Sequence, residues 1–336
     1  MFKRKLLVGF LLISFMFVSL FLTSYAQLKP VTLKIALLYS GTSIDGLAGS
    51  HFKELVEKYS EGNIKCDFFP GGQLGTLNAM IEGVQSGTID IYIESINTWQ
   101  SYNELLKLHN IPFAFKDKKT FLAHFDSQVF QDYVIKPFLE KNIFFLNEEA
   151  GWNWHWGYRV IVCSKHPILT PDDIVGLNFR MPEMKAYVEG WKAIGATPVI
   201  IPWNELYLAL QMGVVDIATL PITTLYDMKL TEVAKYVTKL EDYYQTMALA
   251  MTKSKFDSLP EEYQKILLKA CTETGEFYTD LIIASINTII EKCKEEHGAE
   301  FFETDYAPFK EKGEKAIQTL EESGYLVPGL YDLLDD

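Results

Sequence analysis

The sequence predicts an α/β fold made of two lobes of similar architecture, with a long helix that could pack across both. Three observations lead to this prediction. Strand patterns alternate with helix patterns in the first half of the chain, which implies parallel sheets. A short motif occurs twice, once in each half. Within the last third, residues 260–296 carry spaced Leu, Ile and Ala residues and, after Pro260, no Pro and a single Gly, which is typical of a long helix.

The alternating elements lie within residues 31–94, where β-branched and aromatic residues indicate strands and one-sided apolar patterns indicate helices. We predict strand 31–38, helix 50–59, strand 65–69, helix 77–85 and strand 89–94, in that order. A Gly-rich turn at residues 71–75 separates the second strand from the second helix.

The repeated motif reads Gln-Ser-Gly-Thr-Ile-Asp-Ile at residues 85–91 and Gln-Met-Gly-Val-Val-Asp-Ile at residues 211–217. In both copies an apolar helix ends at a Gly, which can take the left-handed conformation found after helix termini. An Asp then opens a buried strand. We interpret Asp90 and Asp216 as turn residues, because Asp commonly bonds nearby backbone groups. Two such junctions, one in each half, indicate two similar lobes.

Two helices are predicted in the second half of the chain. The first begins near Asn204, whose side chain can cap it, and buries Leu206, Leu210 and Val214. The second covers most of residues 260–296, where a single Gly is the only helix-weakening residue after the first position.

The first 26 residues have the order of a secretory signal peptide. Basic residues at positions 3–5 precede the uncharged apolar run Leu6–Leu22, and Ser24-Tyr25-Ala26 supplies small residues at a cleavage site. We therefore predict an exported protein that begins at or near Gln27. An uncleaved membrane anchor is the alternative, because the apolar run is long.

The net charge of the 336-residue chain is −13, so the basic surface that nucleic acid requires is missing, and we predict no nucleic-acid partner. The four cysteines, Cys66, Cys163, Cys271 and Cys293, form no C-x-x-C pair. On one continuous helix the last two are too far apart to bridge. We favour buried free thiols, and a bridge between the first two is left open.

Motifs for catalysis and for metal or nucleotide binding are missing. The chain has no G-x-S-x-G, no H-E-x-x-H and no P-loop, and its six His residues lack metal-ligand spacing. We predict no enzyme activity, no cofactor and no metal site.

Two arginines stand in apolar, strand-like sequence. Arg159 opens one such run, and Arg180 lies in the segment 176–182. An arginine at the mouth of a buried strand is costly unless it meets an anion, either a protein carboxylate or a ligand carboxylate. Trp154 and Trp203 lie near these arginines in sequence, and an aromatic ring that lines a cleft can stack on a ligand.

Three segments carry a family resemblance. The first is residues 52–62 followed by Phe-Pro-Gly-Gly-Gln-Leu-Gly at 69–75. The second is Gly-Leu-Asn-Phe-Arg-Met-Pro at 176–182, and the third is residues 203–216. Together they resemble the substrate-binding subunits of TRAP transporters, the tripartite ATP-independent periplasmic systems, in the DctP-like family. The resemblance covers nearly the whole mature chain.

The resemblance implies a periplasmic binding protein fold with two hinged α/β lobes, a ligand buried between them and a long helix behind both. Members of the family deliver organic anions to a small and a large membrane subunit that run on an ion gradient. Arg180 is similar to the family's carboxylate-gripping arginine, and Arg159 to a second arginine of the cleft. Trp203 matches an aromatic position that packs on the ligand, and Glu94 matches a first-lobe position that can face the cleft.

One segment departs from the family pattern. Where many members read Gly-Val-Val-Asp-Gly-x-Glu-Asn-Pro, this chain reads Gly-Val-Val-Asp-Ile-Ala-Thr-Leu-Pro at 213–221, so Leu220 replaces a polar pocket residue. We therefore predict a more apolar pocket floor and a monocarboxylate ligand with an apolar or aromatic body, such as a 2-oxo or hydroxy acid. The candidate ligand-binding residues are Arg180, Arg159, Trp203, Glu94, Leu220, Trp154 and Tyr243.

We predict a first lobe of residues 27–156 plus about 246–283, and a second of residues 157–245 plus about 284–336. The expected partners are a small organic carboxylate and the TRAP membrane subunits, in the periplasm. A mostly monomeric protein is expected, with a dimer left open. Two alternative functions remain: a receptor subunit that presents its ligand to a membrane sensor, and an exported enzyme that uses a cleft carboxylate such as Glu94 as a base.

Overall fold

The structure is a computed structural model that describes residues 29–334. The predicted signal peptide and its cleavage site lie outside the described residues. The strands are β1 (Val31–Leu37), β2 (Ile64–Phe69), β3 (Ile91–Ser95), β4 (Ile143–Phe145), β5 (Arg159–Cys163), β6 (Asn178–Met181), β7 (Thr197–Ile200), β8 (Ile217–Pro221), β9 (Tyr236–Lys239), β10 (Met247–Thr252) and β11 (Glu300–Phe302).

Helices connect and cover these strands. They are α1 (Ile44–Tyr59), α2 (Leu77–Gln85), α3 (Glu104–His109), α4 (Lys118–His124), α5 (Gln128–Phe130), α6 (Lys136–Glu140), α7 (Asn147–Ala150), α8 (Lys185–Ile194), α9 (Leu206–Gln211), α10 (Lys253–Ser258), α11 (Glu261–His297) and α12 (Ala307–Glu322). The five elements predicted within residues 31–94 are confirmed in type and order. Helix α1 begins at Ile44 rather than at Ser50, because the Ser43 hydroxyl caps it by accepting a hydrogen bond from the backbone N–H of Gly46 (3.0 Å).

The strands form two mixed sheets. The order is β2–β1–β3–β10–β4 in the first sheet and β11–β9–β5–β8–β6–β7 in the second. Strands β1, β2 and β3 pair in parallel, as do β6, β7 and β8. However, β10 runs antiparallel to β3 and β4, and β5 runs antiparallel to β8 and β9. The α/β class is therefore confirmed, but the prediction of parallel sheets is only partly correct. Strands β5 and β10 each follow a crossing from the other sheet rather than a helical crossover within their own sheet, which is the connection that makes neighbouring strands parallel.

The two crossings between the sheets lie side by side. Residues 146–158 lead from the first sheet to the second, and residues 240–246 lead back. His155 and Thr246 form an antiparallel bridge, and the backbone N–H of Met247 donates to the carbonyl of Trp154 (3.0 Å). This paired crossing joins the two sheets.

The two copies of the repeated motif occupy equivalent positions. Gly87 follows α2 and Gly213 follows α9, with left-handed φ angles of 73° and 69°. The Asp90 carboxylate accepts a hydrogen bond from a backbone N–H of β1 (2.8 Å), and Asp216 accepts one from β6 (3.0 Å). Each Asp thus ties the start of one strand to its neighbour. Both residues lie in the bend before a strand, but the backbone N–H that each carboxylate bonds belongs to another strand and not, as we had expected, to the turn itself.

The helix of the second copy is shorter than predicted. Residues Trp203–Glu205 form a 3-10 turn, α9 begins at Leu206, and the Asn204 side chain makes no capping hydrogen bond. Leu206 and Leu210 are buried as predicted, but Val214 is 43% exposed. The burial prediction fails at this residue because it lies past the end of α9, where the helical period no longer applies.

The long helix is confirmed as α11, which has 37 residues. At 1.5 Å per residue it spans about 55 Å. It packs against α1 beside the first sheet and against the 3-10 turn Ile222–Thr224 beside the second. A Cβ atom on Gly275 would lie 2.0 Å from the side-chain oxygen of Asn153, so a glycine is needed where the crossing segment approaches the helix. Helix α11 therefore lies across both halves.

The cores follow the sheets. One hydrophobic cluster surrounds the first sheet and reaches α11, while the second sheet has one cluster on the face of Phe179 and another on the face of Val160. All four cysteines are buried and free, so the bridge between Cys66 and Cys163 that the sequence left open does not form. Between residues 29 and 334, no helix combines the length and the apolar character needed to cross a membrane.

Candidate ligand-binding cavity

A cavity of about 300 Å³ lies between the two sheets. The carboxyl ends of β1 and β3 reach it from the first sheet, and those of β6 and β8 reach it from the second. This is the edge at which open α/β sheets generally bind ligands. Six of the seven candidate residues from the sequence line this cavity: Glu94, Arg159, Arg180, Trp203, Leu220 and Tyr243.

Arg180 lies in β6 and is 4% exposed. Its Nε donates a hydrogen bond to the carbonyl of Ile201 (3.0 Å), and its guanidinium carbon lies 5.6 Å from the ring centroid of Trp203. No carboxylate among residues 29–334 pairs with it, and its two terminal nitrogens have no acceptor there. Burial lowers the pKa of Arg180 to about 10, so the side chain is still charged at neutral pH.

Arg159 begins β5, and protein groups hold its guanidinium. Its Nε donates to Asp242 (2.9 Å), one terminal nitrogen to Gln245 (2.5 Å) and the other to the Thr219 hydroxyl (2.9 Å). The Tyr243 ring centroid lies 4.2 Å from its guanidinium carbon. Burial alone would lower the pKa of Arg159, but Tyr243 and Asp242 outweigh that effect and raise it. The sequence left open whether each arginine pairs with a protein carboxylate or with a ligand carboxylate. Arg159 pairs with a protein carboxylate, that of Asp242.

The side chains that accept hydrogen bonds from Arg159 were not found from the sequence. Asp242 is fully buried, and its second oxygen accepts a hydrogen bond from the Tyr187 hydroxyl (2.6 Å). That hydroxyl also bonds the hydroxyl of Thr219. These residues come from α8, β8 and the second crossing, so no local pattern links them. The one available signal was an acidic residue inside the aromatic-rich stretch Glu-Asp-Tyr-Tyr-Gln at 241–245.

Glu94 lies near the carboxyl end of β3 and is 2% exposed. Its carboxyl group accepts hydrogen bonds from the backbone N–H of Ser95 (2.9 Å) and from the hydroxyls of Tyr39 and Tyr92 (3.4 Å each). No cation of the described chain pairs with it. Burial raises the pKa of Glu94 to about 8, with a further contribution from nearby Asp45. The group is therefore mostly protonated at neutral pH and can donate a hydrogen bond.

The predicted aromatic residues fall into two groups. Trp203 and Tyr243 line the cavity, each beside one arginine. Trp154 is fully buried in the core of the first sheet, and its Nε1 donates to the carbonyl of Cys271 in α11 (2.9 Å). Trp154 is absent from the cavity wall, so we remove it from the candidate site. Its indole fastens the first crossing to the long helix instead.

Leu220 borders the cavity but is fully buried, and it belongs to the hydrophobic cluster on the Val160 face of the second sheet. Because successive side chains of a strand point to opposite faces, its neighbour Thr219 faces Arg159. The floor that we expected to be apolar therefore contains a hydroxyl group next to Leu220.

Further polar side chains complete the cavity wall: Thr98, Glu183, Asn204, Glu205 and Gln245. These groups can exchange hydrogen bonds with hydroxyl or carbonyl oxygens of a small molecule. Together with the unpaired guanidinium of Arg180, they suit an anion that also carries polar oxygens. Within the described part of the chain, no group of three or more His, Cys, Asp or Glu side chains could hold a metal ion.

The chain is similar in sequence and in structure to known bacterial proteins. Residues 38–323 match the family DctP, described as bacterial extracellular solute-binding protein, family 7. The 2,3-diketo-L-gulonate-binding periplasmic protein YiaO of Escherichia coli K12 is 29% identical over 273 residues, which cover 81% of each chain.

Two solved structures are similar over nearly their whole length. A TRAP periplasmic solute-binding protein from Ochrobacterium anthropi with bound L-fuconate is 29% identical, with a TM-score of 0.81 over 91% of this chain and 98% of that one. A second, from Polaromonas sp. JS666 and bound to D-erythronate, is 26% identical, with a TM-score of 0.79 over 91% and 98%. Since the family match covers most of the chain, this protein belongs to the DctP family of TRAP solute-binding proteins, family 7 of the bacterial extracellular solute-binding proteins.

Proposed function

We propose that the protein is the periplasmic solute-binding subunit of a TRAP transporter and captures a small organic monocarboxylate between its two lobes. The observation that carries this proposal is the state of Arg180, a buried and charged side chain whose terminal nitrogens have no acceptor within residues 29–334. A buried charge is costly unless an opposite charge compensates it. A ligand carboxylate would do so through two parallel charge-assisted hydrogen bonds.

The rest of the wall favours a hydroxy or 2-oxo acid as the ligand. Hydroxyl and amide groups of Thr98, Thr219 and Gln245 can bond the oxygens of such a molecule, and Trp203 and Tyr243 can pack on its carbon chain. The relatives named for diketogulonate, L-fuconate and D-erythronate bind acids of this class. So many polar groups fit a hydroxylated body better than the aromatic body that the sequence left open.

The two-sheet architecture supports delivery of the ligand by opening and closing of the two lobes. The lobes, with the boundaries predicted above, would open and close about the paired crossing at residues 146–158 and 240–246. The closed form would then dock on the small and large membrane subunits. Export through the signal peptide over residues 1–26 and a mostly monomeric state belong to the same proposal, and no catalytic step does.

Two measurements test the ligand class. Native mass spectrometry of the exported full chain can detect an acid retained through purification. A thermal-shift panel then compares hydroxy and 2-oxo monocarboxylates with neutral sugars and with cations. An acid at a hundred times its dissociation constant should add about 2.7 kcal/mol to the free energy of unfolding. Stabilisation by sugars or cations alone would refute the proposed ligand class.

A separate measurement tests the transport role. The protein, reconstituted with the small and large membrane subunits in proteoliposomes, should support uptake of the bound acid without ATP. A receptor that serves a membrane sensor would bind the same acid but support no uptake. An enzyme would convert the acid, which chromatography of the incubated mixture would reveal.

A further inference from the structure

We infer that Asp242 restricts the cavity to ligands with a single carboxylate, because it neutralises Arg159 and leaves Arg180 as the one unpaired cation among the described residues that line the cavity. This inference rests on the proposed function and deepens it by naming a residue that excludes dicarboxylates. Asp242 does not line the cavity itself, so it acts through Arg159 as a positioning residue.

The cations of the cavity are few. Among the described residues that line it, the positively charged side chains are Arg159 and Arg180. The ion pair between Arg159 and Asp242 joins Nε to Oδ1 at 2.9 Å, and the two side chains are 7% and 0% exposed. Salt screens such a buried pair far less than it screens a surface pair. A ligand therefore meets Arg159 as a polar hydrogen-bonding group, while Arg180 still offers a whole charge.

The other acidic side chains of the described wall are Glu94, Glu183 and Glu205. Of these, Glu94 is mostly protonated at neutral pH, because burial raises its pKa to about 8. A second ligand carboxylate would find no unpaired cation there, and it would be repelled by any of these groups that is ionised. A neutral hydroxymethyl group at the same end of the ligand would avoid both costs and could still form hydrogen bonds. The cavity wall therefore favours a ligand with a carboxylate at one end and an uncharged, polar group at the other.

Asp242 alone supplies the neutralising charge. The other two hydrogen-bond acceptors of Arg159 are the neutral groups of Gln245 and Thr219. Asp242→Asn would keep a side-chain oxygen that can accept the hydrogen bond from Arg159. The new amide N–H could donate a hydrogen bond to the Tyr187 hydroxyl, and that hydroxyl could still donate one to Thr219. The substitution thus removes one charge with little change of shape, and it leaves a second guanidinium in need of an anion at the cavity wall.

The test compares acids that differ only at one end. In two pairs, D-erythronate with meso-tartrate and D-galactonate with galactarate, the first acid ends in a hydroxymethyl group and the second in a carboxylate. In the third pair, succinamate ends in an amide where succinate has a carboxylate. Titration calorimetry gives the affinity ratio within each pair. We expect the wild-type protein to prefer the monocarboxylate at least tenfold in every pair that binds. Asp242→Asn should shift that ratio at least tenfold toward the dicarboxylate.

Two further variants sharpen the test. Asp172→Asn makes the same change of net charge at an exposed ion pair with Lys312, away from the cavity, and should leave the ratio unchanged. The double variant Arg159→Gln with Asp242→Asn removes the whole ion pair and should restore the preference for the monocarboxylate. The affinity ratios of the wild-type protein and of this double variant can be measured even if the single variant Asp242→Asn does not fold.

The outcomes separate this inference from the proposed function. A wild-type protein that binds both members of a pair equally, or prefers the dicarboxylate, would overturn the role of Asp242 but leave the proposed transport of acids intact. A folded Asp242→Asn protein with an unchanged ratio would overturn it as well. So would a double variant that favours the dicarboxylate. A protein that binds no acid of any pair and no acid of the thermal-shift panel would overturn the proposed function and this inference together.

Discussion

Arg159 and Arg180 line the same cavity, and each lies beside an aromatic ring, yet their charges are handled in opposite ways. Arg159 is paired with Asp242, whereas the one hydrogen bond that Arg180 makes within the described chain goes to a backbone carbonyl. Burial lowers the pKa of Arg180 to about 10. Burial has the same effect on Arg159, but the electrostatic effects of Tyr243 and Asp242 outweigh it and raise the pKa of that guanidinium.

The difference arises from what the fold brings opposite each side chain. Arg159 opens β5 where the second crossing passes, and its carbonyl accepts a hydrogen bond from the backbone N–H of Leu240 (3.2 Å), two residues before Asp242. Arg180 lies near the end of β6, where the chain after β7 offers a carbonyl and no carboxylate. An arginine in an apolar strand can therefore be paired with a protein carboxylate or be left without one, and its own sequence context is the same in both cases.

The largest effect that would test this comparison is on stability. Arg159→Met removes the cation but keeps much of the volume, and it leaves the buried Asp242 carboxylate without the cation that compensates its charge. We expect the free energy of unfolding to fall by about 3–5 kcal/mol, measured by urea denaturation. Adding Asp242→Asn should recover most of that loss.

The matched control for this first prediction is Arg180→Met. Because it removes a buried charge that no protein carboxylate compensates, stability should stay the same or rise. An equal loss of stability in the two single variants would mean that the protein treats the two arginines alike.

The next largest effect is on affinity. Arg180→Ala removes the group proposed to bind the ligand carboxylate, and the affinity for a bound monocarboxylate should fall at least a hundredfold, or about 2.7 kcal/mol. Titration calorimetry on the folded variant measures this change. Lys165→Ala, which removes an exposed cation at the surface, should leave the affinity nearly unchanged. Near-native affinity of Arg180→Ala would assign Arg180 a structural role instead.

A smaller effect distinguishes geometry from charge. Arg180→Lys keeps the positive charge but loses the planar pair of donors that fits a carboxylate. We expect roughly a tenfold loss of affinity for the same acid, or about 1.4 kcal/mol, with net charge unchanged. If the Lys variant binds as tightly as the wild type, a point charge is sufficient and the two-pronged grip is not used.

The smallest expected effect concerns the pH dependence of stability. It compares two buried carboxyl groups, because Asp242 is paired with a cation and Glu94 is not. Burial raises the pKa of Glu94 from 4.5 to about 8, so its contribution to stability is greatest at low pH and is lost as the pH rises between these values. Between pH 7 and pH 8 the loss should be on the order of 1 kcal/mol.

Glu94→Gln isolates this effect, because the variant has no group to titrate at that position. Thermal unfolding of the two proteins at a series of pH values gives the difference. The stability advantage of the wild-type protein over the variant should shrink as the pH rises toward 8. Parallel pH profiles would mean that Glu94 does not change its protonation in this range.

Much of the fold was predictable from local patterns. The β1–α1–β2–α2–β3 order follows from apolar periodicity, and α11 follows from a long stretch without helix breakers. The repeated Gly and Asp residues predicted two equivalent junctions, and Asp90 and Asp216 make equivalent hydrogen bonds to a neighbouring strand. The misses lie where tertiary context replaces local pattern. Strands β5 and β10 reverse direction after the crossings, and Val214 lies past the end of its helix.

The candidate site divides along the same line. Arg180, Trp203 and Glu94 were found by residue type and family resemblance, and they line the cavity. Trp154 was chosen because it is near the arginines in sequence, but its indole points into a core that only the packing of α11 defines. Proximity along the chain is therefore a weak guide to the wall of a cavity that is built from two sheets.

The sequence by itself determined the types of elements, the two-lobed plan and the presence of two costly buried arginines, because these depend on the spacing of apolar residues and on the cost of burying charge. Only the tertiary structure decided which arginine is paired with a protein carboxylate. Asp242 lies 83 residues from Arg159 along the chain, and the paired crossing of the sheets brings the two within 2.9 Å. A contact over such a separation depends on the folded path of the whole chain, so no local pattern encodes it.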